Sequence, residues 1–320
     1  MAAPDHPLAR TATSAGRLEG IETVTLAGTA GLEATYAPEA GMVCCSLRHH
    51  GTELLGLNKG LRAYRESGST MGIPLLHPWA NRLGDWTYEA LSERVDLRAV
   101  EEIIHRDEHG LPIHGTLPAA WRVLDLRTDG EAASVSAELE PGLDPVFASA
   151  FPFPHRIRLE AEVLGATLRI RTTVVATTDA PVPVAFGFHP YFSLAGLPRA
   201  AWEIELPLHR HVAVDDRAIP TGDHEPVEPY AGPLGERVYD DGYDRLAERP
   251  VFALTGAGRR IEVAFETGFP VAQVFAPHGK DVVCFEPMTA RTNALATGGF
   301  PVATPDAPYE ATFSVRITST

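Results

Sequence analysis

The segment Ile157-Arg158-Leu159-Glu160-Ala161-Glu162-Val163 puts an apolar side chain at every second position. That is the period of a strand with one face in a core and the other in water. Gly165 interrupts the run, and Leu168, Ile170, Thr172 and Val174 take it up again, so a hairpin with a short turn is predicted. The pattern recurs at residues 23–26, 32–36, 42–47, 121–126, 134–139 and 202–206. It continues at 251–255, 260–265, 271–275, 282–285 and 312–317. No long amphipathic helical period is present, and no Gly-rich loop joins a strand to a helix as a phosphate-binding turn requires. Many strands at close spacing, with 28 Gly and 27 Pro between them, predict an all-β fold, an antiparallel sandwich or barrel.

A chain of 320 residues is within reach of one large β domain. Residues 1–18 are expected to be a tail, because the first of them mix Pro, Asp, His, Arg and Thr without an apolar signal core. Residues 19–320 are expected to form a single domain. Residues 59–78, 106–118 and 207–243 read as long loops, where sites are commonly carried on a β scaffold. With 27 basic and 42 acidic residues the net charge is −15, which argues against nucleic acid and anionic lipid as partners. No apolar stretch approaches the length of a membrane span. Cys44, Cys45 and Cys284 are odd in number and two are adjacent, so reduced thiols and a cytoplasmic location are expected.

In Phe186-Gly187-Phe188-His189-Pro190-Tyr191-Phe192 a histidine ends an apolar, strand-like run. Pro190 biases His189 toward an extended backbone and so aims its side chain, while Gly187 admits close approach of another group. An imidazole with aromatic walls suits general acid–base chemistry; it suits equally a core histidine satisfied by hydrogen bonds. Val282-Val283-Cys284-Phe285-Glu286-Pro287 sets a carboxylate at the end of another apolar strand, again before a proline. Glu286 is then a functional base or a rim group pairing with Arg291, since burying a carboxylate unpaired is expensive. Arg82, in Pro78-Trp79-Ala80-Asn81-Arg82, offers a planar donor fork to ligand hydroxyls or caps Trp79. His114 is a site group next to a permissive glycine or an ordinary loop histidine. The run Asp240-Asp241-Gly242-Tyr243-Asp244 lacks the ligand spacing of an EF-hand. The pairs His49-His50 and Cys44-Cys45 point to opposite faces of a strand and so seldom share a metal. His105, His109 and His155 show no partner pattern.

Taken together, these segments resemble the aldose 1-epimerase (galactose mutarotase) family. Pro78-Trp79-Ala80-Asn81-Arg82, Ile113-His114-Gly115, Phe188-His189-Pro190-Tyr191-Phe192 and Phe285-Glu286-Pro287 follow the family's order. Tyr239-Asp240-Asp241-Gly242-Tyr243 is similar to its Asp-x-x-aromatic segment, with Asp240 in the ligand-binding place. Gln273 stands where the family often has a glutamine on the strand before the base. The resemblance implies a large antiparallel β-sandwich (galactose mutarotase-like supersandwich) with the sugar site in an open cleft. It implies a small-molecule sugar as partner, no metal or cofactor, and a monomer or homodimer. Ser193 and Thr116 depart from the galactose-type pattern, and Leu117-Pro118-Ala119-Ala120 lacks the arginine of the hexose-phosphate branch.

The implied reaction opens a cyclic hemiacetal, rotates the aldehyde and recloses the ring on its other face. One proton leaves the anomeric hydroxyl while another reaches the ring oxygen. The resemblance assigns Glu286 as base and His189 as acid, on opposite sides of the acetal carbon. Arg82, His114, Asp240, Asn81 and Gln273 become substrate-binding groups, with Arg82 and His114 also steadying charge on the ring oxygen. Trp86 and Phe188 are candidates for stacking on the sugar. The rival expectations are a non-catalytic carbohydrate-binding or sensor protein, and an epimerase of a sugar phosphate or acidic sugar. Arginines beyond Arg82 in the cleft, such as Arg259, Arg260 or Arg291, would favour the latter.

Overall fold

The alternating hairpin forms as its pattern dictates. In a computed structural model that describes residues 11–320, His155–Leu164 pairs with Thr167–Ala176 in unbroken antiparallel register. This hairpin lies within a nine-stranded antiparallel sheet that also holds Arg122–Thr128, Ala132–Leu139, Tyr309–Ser319, Arg259–Thr267, Val251–Gly256, Glu203–Leu206 and Tyr230–Pro233. A seven-stranded sheet runs in the order Pro220–Pro226, Leu208–Val214, Tyr239–Leu246, Val271–Ala276, Cys284–Met288, Gly187–Phe188 and Leu75–Leu76. The inner faces of the two sheets meet through aromatic side chains: Phe252 stacks on Phe285 at 5.3 Å, and Phe188 tilts against Phe313 at 4.9 Å. Residues of both sheets belong to one contiguous apolar core. The architecture is an all-β antiparallel sandwich.

Four expectations about irregular segments are corrected. Ala12–Leu18 is a strand paired along its length with Ile21–Ala27, so the expected tail over residues 1–18 does not hold from residue 12 onward; residues 1–10 lie outside the described residues. The strand is almost wholly exposed, and it carries little apolar periodicity to read. Residues 207–243 are not one long loop but contribute to four strands, among them Pro220–Pro226 at a sheet edge and Leu208–Val214 beside it. Edge strands tolerate proline and polar side chains on both faces. Residues 59–78 contain a short helix, Leu61–Ser67, closed by Gly68 in the left-handed region at φ 69°. Residues 106–118 contain the strand Pro112–Thr116.

Candidate active site

The seven-stranded sheet divides its side chains by parity. Phe186 and Phe188 go into the core, so His189 and Tyr191 share the opposite face with Gly187. On Cys284–Met288 the core takes Phe285, which leaves Cys284, Glu286 and Met288 on that same outer face. On Val271–Ala276 the outer face carries Gln273 and Phe275, which sit opposite Glu286 and Cys284 in the ladder. On Tyr239–Leu246 it carries Asp240 and Gly242, opposite Phe275 and Gln273. Gly187 is required here by packing: a Cβ at this position would lie 2.8 Å from the carbonyl oxygen of Pro287.

His189 and Glu286 are brought together, with Nε2 and Oε1 3.3 Å apart. Both are buried, at 4% and 1% exposure. They therefore lie side by side rather than across a gap. The ring of Tyr191 stacks on His189 at 4.2 Å, and its hydroxyl is 3.3 Å from Nε2 and 2.6 Å from Thr70 Oγ1. Phe275 closes the imidazole edge to face at 5.5 Å and His114 does so at 5.4 Å. Three polar atoms of this cluster are buried without a partner: His189 Nδ1, His114 Nδ1 and Glu286 Oε2.

Two loops are zipped together to deliver the remaining groups. Arg82 and Ile113 form an isolated antiparallel bridge, and the His114 amide donates to Asn81 O at 2.9 Å. Asn81 and His114 both occupy the left-handed region, at φ 56° and 63°. Asn accepts that conformation readily, whereas for His it stores strain that the surrounding contacts hold in place. Gly115 leaves no room for a side chain, since a Cβ would sit 2.1 Å from His77 O.

Arg82 does not cap Trp79. Its Nε donates to Asp107 Oδ2 at 2.8 Å, Nη2 to Glu108 Oε1 at 3.1 Å and Nη1 to Asn81 Oδ1 at 3.3 Å. Nη2 also lies 3.6 Å from Asp240 Oδ2, and Gln273 Nε2 donates to Asp240 Oδ1 at 2.9 Å. A buried guanidinium is tolerable because its donors are met by carboxylates. Asn81, Arg82, Asp240 and Gln273 line a cleft of ≈ 390 Å³ together with Val212, Ala218, Met288 and Arg291; His189, Glu286 and His114 are not in its lining. Asp240 is accessible, with 43% of its side chain exposed.

Burial drives the acid and the base of the pair in opposite directions. It pushes Glu286 well above the ordinary carboxylate range, with Asp240 adding to the rise and Arg82 opposing it. It pushes His189 down to about 3. His114 is also well below the ordinary imidazole range, through burial first and then its neighbours His189, His105 and Arg82. Burial works against the charge of Arg82, but Asp240, Asp107 and Glu108 together raise its pKa further.

Other readings resolve plainly. Glu286 is no rim group for Arg291, which pairs instead with Asp244 at 3.4 Å. Phe188 packs in the core, and the ring of Trp86 lies under Arg106 at 4.9 Å with its Nε1 donating to Gly110 O. Neither is placed to stack on a sugar in the cleft. Asp240 and Asp241 alternate on a strand rather than clustering, and Asp241 turns to His211 at 3.2 Å. Tyr191, Phe275, Cys284, Asp107 and Glu108 were not anticipated. Period two from His189, Gln273 and Glu286 points to the first three; nothing local marks the acids that hold Arg82.

The class defined here is an antiparallel β-sandwich with a buried imidazole–carboxylate pair on the sheet face that also carries the cleft residues Gln273 and Asp240. The aldose 1-epimerase family profile matches residues 22–316, and the chain belongs to the aldose 1-epimerase family. A galactose mutarotase-like protein from Clostridium acetobutylicum superposes with a TM-score of 0.83 at 17% identity, over 97% of this chain and 99% of that one. Galactose 1-epimerase from Lactobacillus acidophilus superposes with a TM-score of 0.75 at 14% identity, over 97% and 98% of the two chains. The Slr1438 protein from Synechocystis gives 0.72 at 20% identity, over 100% of both. At these identities the likeness is one of fold. No curated protein sequence matches the chain. No helix among the described residues is long and apolar enough to cross a membrane.

Proposed function

We propose that this protein interconverts the α and β anomers of a free aldose by acid–base ring opening and reclosure at His189 and Glu286. The observation that carries the reading is the 3.3 Å contact between His189 Nε2 and Glu286 Oε1 in a buried setting. The anomeric and ring oxygens are bonded to one carbon, so neighbouring groups serve them as well as groups placed across the sugar. Burial raises the carboxyl and depresses the imidazole, and two groups in contact titrate as a coupled pair. One proton on two groups is what the reaction needs: one group donates while the other accepts. In the forward sense Glu286 takes the anomeric proton and His189 protonates the ring oxygen, and reclosure reverses them. Sugar hydroxyls displace the contacts among Arg82, Asp240 and Gln273, with Asn81 and His114 completing the cradle. Hydroxyls entering this dry site favour the charged form of the pair over the neutral one.

The charge of the cleft supports a neutral sugar. Arg291 lines it, but this cation is already matched by Asp244, as Arg82 is by Asp107. Arg260 is taken up by Glu205 and Glu262, and Arg259 donates to Thr52. A binding or sensor role has no use for an unsatisfied acid and base held in contact, whose burial is expensive. The test is polarimetry on freshly dissolved aldoses with Glu286→Gln, which keeps the shape but cannot take the proton. A loss of roughly 10²–10⁴ in rate is expected. Near-wild-type acceleration by the folded variant would refute the assignment.

A further inference from the structure

Cys284 stands two residues before Glu286 on one strand and therefore on the same sheet face. Its sulfur, a ring nitrogen of His189 and a carboxylate oxygen of Glu286 all lie within 4.8 Å of one another, and all three residues are buried. Among the described residues no other group of three potential ligands is drawn together in this way. A second observation points at a ligand: Glu286 Oε2 is buried and has no hydrogen-bond partner. Such an atom seeks a partner.

We infer that the site takes a thiophilic divalent cation, Zn²⁺ or Co²⁺, through Cys284, His189 and Glu286, and that the cation competes with the sugar. The donor set is the argument. Thiolate, imidazole and carboxylate are the three ligand types of protein zinc, whereas calcium and magnesium would find one oxygen ligand here. Tetrahedral coordination at ordinary zinc distances separates donors by about 3.5 Å. His189 Nε2 and Glu286 Oε1 already stand at 3.3 Å, and the sulfur lies within 4.8 Å of a ligand atom of each of these residues. Three protein ligands leave the fourth position to water. Asp240 offsets the repulsion that Arg82 exerts on an arriving cation. On binding, the Cys284 S–H bond breaks, its electron pair goes to the metal and its proton to solvent. The cation is an inhibitor, because it occupies the lone pairs the proton transfer uses.

The inference uses the residues of the proposed chemistry, but its test does not depend on sugar turnover. The wild-type protein is titrated with Co²⁺ under reducing conditions. The expected result is a thiolate-to-cobalt charge-transfer band that saturates at one ion per chain and is displaced by Zn²⁺. Cys284→Ser should abolish the band and weaken Co²⁺ binding at least about tenfold, while Cys45→Ser keeps the band. Sugar turnover by wild-type protein should be lost on adding Zn²⁺, and Cys284→Ser should turn over sugar while resisting it. X-ray absorption on the zinc-loaded wild type, which needs no variant, should count a single sulfur at about 2.3 Å with nitrogen and oxygen ligands. A band that survives Cys284→Ser, a zinc shell without sulfur or with two sulfurs, or no band in the wild type would overturn the site. A cobalt band without sugar turnover would sustain the site and instead sink the epimerase reading.

Discussion

His77 and His155 face each other in the core through Nε2 atoms 3.0 Å apart, while His114 and His189 meet edge to face beside a carboxylate. Burial depresses the basicity of all four: His155 to about 4, His189 to about 3, and His77 and His114 well below the ordinary range. A shifted pKa therefore does not separate a functional histidine from a structural one. Between these two pairs, hydrogen bonding differs. Nδ1–H of His155 donates to Phe153 O at 2.6 Å, so its Nε2 accepts the proton that His77 offers. Every ring nitrogen placed there in contact has its partner. In the second pair each ring leaves Nδ1 unmet, and Glu286 leaves Oε2 unmet. An expensive arrangement kept in the middle of a fold is one that something else is meant to complete.

The comparison is broken most sharply at the second pair. His189→Asn should lose roughly 10²–10⁴ in rate, or about 2.7–5.5 kcal/mol. Combined with Glu286→Gln it should lose less than the product of the single losses, because the two groups act in one proton transfer. The decay of optical rotation above the buffer rate measures this, and multiplicative losses would mean the two act independently.

At the first pair the effect should fall on stability. His155→Leu leaves a buried His77 nitrogen without its partner and should lower unfolding free energy by about 1–3 kcal/mol at neutral pH, with the rate constant little changed. Its pH dependence has a definite sign. His155 stays neutral in the fold down to about 4, while the unfolded chain takes up the proton near 6.5. Stability is thus fully present above 6.5 and is lost as pH falls toward 4. Urea titrations across that window should show a shallower acid loss in the variant than in the wild type.

Glu286 has the opposite sign. Its folded pKa is raised well above the ordinary carboxylate value of 4.5, so its contribution declines as pH rises past that value. Glu286→Gln should be more stable than wild type at neutral pH. The margin should widen with pH by at most ~1.4 kcal/mol per unit, the limit for a single proton. An unchanged midpoint at every pH would show that the carboxyl is well solvated. Smaller still, Asp240→Ala should raise KM by about tenfold with less effect on kcat, since hydroxyl contacts made equally in ground and transition states act on binding. Collapsed turnover at constant KM would move Asp240 into the chemistry. His109→Asn should change neither constant.

What the sequence disclosed and what it withheld follow one physical line. Alternation reports a strand with one dry face, so 157–163 and 168–174 were legible down to register. Ala12–Leu18 and Pro220–Pro226 have both faces largely in water, and no apolar period survives to be read. At the site, His189 and Glu286 stood out because each ends an apolar run before proline. Tyr191 and Cys284 were hidden by their chemistry, since an aromatic and a thiol pass for core. The anchoring of Arg82 by Asp107 and Glu108 depends on a loop folding back over 25 and 26 residues, which no local pattern encodes.

The outermost strand of the site's sheet, Pro220–Pro226, has a further consequence for how the folded chain behaves in concentrated solution. It carries proline at both ends, with Thr, Gly, Asp, His and Glu between. Proline withholds the amide that an incoming strand would bond, and the acids repel the same edge of a second copy, in a chain of net charge −15. The opposite edge, Leu75–Leu76, is only two residues long. Neither margin of this sheet is thus a template for edge-to-edge aggregation.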